Sequence, residues 1–127
     1  MKSRKFSIPA RLRSFRYAFR GLWWLVRDEH NSWIHLAFVV VLIPAGFILH
    51  ITPIEWTLII LCIGLVLGME LVNSAIERLA DKISPERDPD IGKIKDIAAG
   101  AVLITAIAAA IVGLIILVPK FFALIGT

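Results

Sequence analysis

Five polar residues of a kind that carries chemistry, Glu70, Asn73, Ser74, Glu77 and Asp81, follow one another through a stretch that is apolar apart from Arg78. They stand at i, i+3, i+4, i+7 and i+11, so a helix places all five on one face. Carboxylates at membrane depth are retained where they have partners or a function. Glu70 and Glu77 are two turns apart, roughly 10 Å along a helix axis, too far to share one proton. That spacing suits a division of labour. One carboxylate would take the proton of a lipid hydroxyl. The other would ligate a divalent cation carrying phosphates, because Mg²⁺ prefers one or two carboxylates plus substrate oxygens. Asp28-Glu29 offers a second carboxylate pair at similar depth, and Lys95-Asp96 adds a cation and an anion at the same interface. These are parts that phosphoryl transfer needs.

The elements that must position them are helical. From 8 to 31, Leu12, Phe15, Phe19, Leu22, Trp23 and Val26 recur every three or four residues, and Arg13, Arg16, Arg20 and Arg27 fall largely between them. This predicts an amphipathic helix lying in the membrane interface, with Pro9 in its first turn. Residues 1–7 are expected to be disordered or loosely held at headgroups. Three apolar runs follow, at 34–51, 54–83 and 93–118, each long enough to cross hydrocarbon as a helix. Thr52-Pro53 separates the first two, and the polar loop 84–92 separates the last two. The third run is rich in Ala, Gly and Thr, which let helix backbones approach closely in lipid. The expected architecture is all-α: three transmembrane helices and a surface helix forming one membrane-embedded domain over 1–127.

Composition agrees. Of 127 residues, 58% are hydrophobic, above the roughly 45–50% of ordinary soluble domains. The net charge of +4 comes from basic residues beside apolar segments, which favours anionic headgroups over nucleic acid. Cys62 lies in an apolar run and reads as a small hydrophobe. Lys and Arg crowd the N-terminal segment and the flanks of loop 84–92 but are absent from 50–55. The positive-inside rule then puts the N-terminus and the polar loop in the cytoplasm, with Trp23, Trp24, Trp33 and Trp56 near span ends as anchors.

Neither GxxxxGK[ST] nor GxGxxG after a strand is present, so a nucleotide would be held by polar groups at helix ends. The run ELVNSAIERLAD at 70–81 closely resembles the signature of the prokaryotic diacylglycerol kinase family. GKIKD at 92–96 and SFRYAFRGL at 14–22 resemble two further blocks of that family, in the same order. The resemblance implies a homotrimer with active sites between subunits, in the bacterial inner membrane, using ATP and Mg²⁺ to phosphorylate a lipid alcohol. Carried over by position, it makes Glu70 the catalytic base and gives the metal to Glu29 and Glu77. It implies nucleotide contacts at Tyr17, Glu29, Glu77, Lys95 and Asp96 and near Glu86, Arg87 and Asp88. Asn73, Ser74 and Asp81 would support the site, with Trp24 and His35 toward the lipid. The undecaprenol kinases of the Gram-positive branch commonly show Asn-Phe-Arg-Ile-His after the first metal-binding Glu. Here Ile34 and His35 match, but Trp33 replaces the Arg, which leaves both diacylglycerol and undecaprenol open as acceptor. His35 is alternatively a helix cap at the interface. Two other functions remain open at this level. One is a small transporter with Glu70 as its proton carrier; the other is a scaffold whose polar face serves only assembly.

Overall fold

A computed structural model describes residues 5–126, so most of the expected loose tail, with Lys2 and Arg4, lies outside the described residues. The described chain forms four helices: α1 (Ile8–Asp28), α2 (His30–Ile48), α3 (Pro53–Ile83) and α4 (Pro89–Leu124). Ser7 belongs to this architecture rather than to a loose tail. Its side chain accepts from the Ala10 N–H and caps α1, with Pro9 in the first turn.

The first boundary falls earlier than periodicity indicates. Helix α1 ends at Asp28, and the single non-helical residue Glu29 (φ −105°, ψ 97°) leads directly into α2. Ser32 explains the break. Its buried hydroxyl donates to the carbonyls of Glu29 (2.6 Å) and Leu25 (3.3 Å), while Trp33 Nε1 donates to the Val26 carbonyl at 2.7 Å. The hydroxyl adds a second donor to carbonyls that already accept from the Glu29 and Ser32 N–H groups, and the indole supplies one to a carbonyl of the last turn of α1. No proline or glycine marks the place, so the apolar pattern runs across it.

Helix α2 ends at Ile48, short of the expected residue 51, through a turn in which His50 takes a left-handed φ of 53°. Ile51 is thereby folded inward against Ile59 and Ile116. Thr52 and Glu55 close a capping box, with Pro53 in the first turn of α3. Ser84 ends α3 as the sequence implies. Helix α4 starts at Pro89, four residues before Lys93, because the Asp88 carboxylate accepts from the Asp90 and Ile91 N–H groups. It continues through Pro119 to Leu124, since a proline removes only its own backbone donor and neighbouring groups can absorb that loss.

Helices α2, α3 and α4 are each long and apolar enough to cross a membrane. Only 22% of the most apolar window of α3 and 6% of that of α4 is buried. Apolar faces this open call for lipid around them, and they point to a membrane protein. The most extensive packing is between α3 and α4, and α1 touches both α2 and α3. The α1–α2 junction therefore rests against the polar half of α3. At the other end of α3, Lys120 Nζ lies 3.3 Å from Glu55 Oε1.

Candidate active site

The helical spacing of the polar row is realised on α3. Glu70, Asn73, Ser74 and Glu77 line one cavity of about 170 Å³, together with Glu29, Asn31 and Ser32 from the α1–α2 junction and Ala99 and Val102 from α4. Three elements thus converge on it. Glu29 reaches it because the one-residue break turns its side chain toward α3, where Ser74 Oγ donates to Glu29 Oε1 at 2.7 Å. Asn73 Nδ2 lies 3.5 Å from Glu77 Oε1 on the same helix face.

Glu70 is buried, and His35 of α2 stands against it. His35 Nδ1 and Glu70 Oε1 are in contact without the alignment of a hydrogen bond. Glu70 Oε2 and Asn73 Oδ1 are buried and have no protein partner. Unpaired buried acceptors lose hydration without recompense, so such atoms usually wait for a ligand, an ion or water.

A second, apolar cavity of about 440 Å³ runs between α2, α3 and α4, walled by Phe38, Val66, Ala106, Ala109 and Gly113 among others. His35 belongs to its lining as well. The polar and apolar spaces therefore meet at the His35–Glu70 contact.

Arg78 supplies positive charge at the mouth. Its Nη2 lies 3.1 Å from Asp28 Oδ2 and 3.9 Å from Glu29 Oε1. One turn beyond Glu77, Asp81 pairs with Lys95 and joins the start of α4 to α3. The exposed Asp96 makes none of these contacts. The loop residues Glu86, Arg87 and Asp88 are exposed, and Asp88 serves as the cap of α4. Tyr17 and Trp24 lie on exposed parts of α1 beneath Arg20 and Arg27 and do not line the polar cavity. His35 does not cap a helix; it stands within α2 and faces α3.

Sequence reasoning missed Asn31 and Ser32 as parts of this cavity and Arg78 as the partner of Asp28. A lone serine next to an acidic pair is the one signal available for Ser32. Arg78 is one residue past Glu77, so its reach toward α1 follows only from helix packing.

The donor set suits a divalent cation with phosphate ligands. No group of three or more His, Cys, Asp or Glu side chains converges among the described residues. Three carboxylates, Glu29, Glu70 and Glu77, line the cavity, and of these Glu70 stands against His35, which leaves Glu29 and Glu77 with the unpartnered Asn73 Oδ1. Mg²⁺ commonly takes that number of protein carboxylates and draws its other oxygens from water and phosphate.

Residues 16–117 match the family model described as prokaryotic diacylglycerol kinase. The chain is 40% identical over 108 residues to an undecaprenol kinase of Bacillus subtilis, covering 85% of this chain and 88% of that protein. It is 39% identical over 117 residues to a diacylglycerol kinase of Synechocystis, covering 91% and 67%. A diacylglycerol kinase of Haemophilus influenzae is 36% identical over 105 residues, covering 82% and 86%.

Proposed function

This chain belongs to the prokaryotic diacylglycerol kinase family, and on that premise we propose that it transfers the γ-phosphoryl group of ATP to the hydroxyl of a membrane lipid alcohol. The observation that carries this reading is the meeting of a carboxylate-lined cavity with an apolar one at the His35–Glu70 contact. An acceptor of this class needs both: apolar room for its chain and a base at its hydroxyl.

In this reading Glu70 Oε2 accepts the hydroxyl proton. The freed oxygen forms its bond to the γ-phosphorus as the bond from that phosphorus to the bridging oxygen breaks, and ADP leaves. Glu29 and Glu77 would hold Mg²⁺, which when bound neutralises charge on the phosphate oxygens. Ser74 orients Glu29 and Asn73 orients Glu77. Lys95, held by Asp81, provides a cation for the nucleotide, with Asp96, Tyr17 and the Glu86–Asp88 loop as further contacts. Positioning and charge stabilisation do most of the work in such transfers.

Diacylglycerol, giving phosphatidic acid, is the first acceptor in this proposal. Undecaprenol is the second, favoured by His35 and by the likeness to the Bacillus subtilis protein. The site is further proposed to face the cytoplasm of a bacterial inner membrane, in keeping with the basic flanks of α1 and of the α3–α4 loop. Assembly as a homotrimer, with sites shared between subunits, would cover part of the open apolar surface.

The deciding experiment incubates purified protein with radiolabelled ATP, Mg²⁺ and each lipid in mixed micelles. Label is expected in at least one phospholipid product. A protein that labels neither lipid, while purified undecaprenol and diacylglycerol kinases do so under the same conditions, would refute the proposal and revive a transport role for Glu70.

A further inference from the structure

Glu70 has two oxygens in unlike surroundings. Oε1 stands against Nδ1 of His35 on α2, whereas Oε2 is buried and has no hydrogen-bond partner. His35 of α2 both touches Glu70 and lines the apolar cavity. Its imidazole is about three-quarters buried, with 26% of the side chain exposed, so little water competes for its nitrogen. A carboxylate with both oxygens free would rotate about its last bond and offer either lone pair to a substrate. One fixed by a nitrogen on Oε1 presents Oε2 in a single direction.

We propose that His35 is a positioning residue for the phosphoryl transfer: its Nδ1 edge anchors Glu70 Oε1 and thereby aims Oε2 at the acceptor hydroxyl where the apolar cavity opens. The inference rests on the kinase reading above and adds to it a residue outside the acidic row. It also makes a chemical demand. The anchoring nitrogen must be bonded directly to Cγ, which is where asparagine, and not glutamine or leucine, places one.

The test is steady-state kinetics of wild type, His35→Leu, His35→Asn and His35→Gln with ATP, Mg²⁺ and the better lipid acceptor. Misaiming a reacting group by about 1 Å costs on the order of 10²-fold in rate. His35→Leu is therefore expected to lose kcat by about 10²-fold, with KM for ATP unchanged. His35→Asn is expected to recover most of kcat, and His35→Gln to resemble leucine. If His35→Leu does not fold, the asparagine–glutamine comparison decides alone: asparagine clearly faster supports the inference, and equal rates overturn it. Full kcat in His35→Leu overturns it, as does a loss confined to the lipid KM, which would make His35 only a wall of the cavity. A wild-type protein that labels no lipid refutes the kinase reading itself and removes this inference with it. Active wild type with no rescue by asparagine refutes this inference alone.

Discussion

Ser74 Oγ donates a 2.7 Å hydrogen bond to Glu29 Oε1 and so ties α3 to the α1–α2 junction across 45 residues of sequence. A carboxylate on a helix break has no rigid support of its own, and this bond gives it one. If Glu29 holds the metal as proposed, Ser74→Ala should therefore weaken metal binding rather than abolish turnover. Loss of an outer partner of a metal ligand typically costs about 10–100-fold in metal affinity. Activity measured against Mg²⁺ concentration should show the half-maximal concentration rising by about that factor, with the rate largely restored at saturating metal.

Glu70→Gln keeps the shape of the side chain but removes the proposed proton acceptor. Turnover should fall by about 10²–10⁴-fold, the range of general-base catalysis. Nucleotide binding, followed by fluorescence of an ATP analogue, and thermal stability in detergent should remain close to wild type.

Lys95 is held against Asp81 at the start of α4. Lys95→Met should raise KM for ATP more than KM for the lipid, because the ammonium stands at the end of the polar row away from the apolar cavity. Equal effects on both KM values would place Lys95 elsewhere in the reaction.

Gly46 of α2 has no room for a side chain. A Cβ there would lie 2.6 Å from Trp56 Cη2 and 3.1 Å from Ile51 Cδ1, and the indole is already packed against Phe47. Gly46→Ala should lower stability by about 1–3 kcal/mol, as overpacking typically does. A lowered melting temperature in detergent, with the KM values preserved in the folded fraction, is the expected readout.

Ser32→Ala leaves the Glu29 and Leu25 carbonyls without their hydroxyl donor. Both keep a backbone N–H donor, so a loss of about 0.5–1.5 kcal/mol is expected. The same change should reduce activity through Glu29, which a folded-fraction correction of the rate would reveal.

The arrangement on α3 was readable from the sequence because a helix converts spacing into direction. Glu70, Asn73, Ser74 and Glu77 needed only their numbers to be placed on one face, and they do line one cavity. Asp81 follows the same face but meets Lys95, a contact that depends on how α4 is set against α3. The existence of three long apolar helices was equally legible, since each exceeds the length hydrocarbon demands. The break at Glu29 was not. It is made by side chains, Ser32 and Trp33, reaching back to carbonyls seven and three residues earlier. Nothing in the apolar period changes there. Helix α4 runs beyond the expected 93–118 at both ends, because Pro89 sits in its first turn and Pro119 is accommodated within it. His35 against Glu70 joins two helices whose relative rotation no local pattern encodes.

The single-residue link between α1 and α2 has a mechanical consequence. With only Glu29 between two helices, there is no slack to absorb a swing of α1, and the hinge is itself the carboxylate that Ser74 holds. Whatever tilts α1, such as crowding or charge among the surrounding headgroups, would pull on that carboxylate directly. If α1 lies in the interface as its sequence suggests, it would then act as a lever, and the state of the bilayer would be felt at the end of the polar row proposed to hold phosphate.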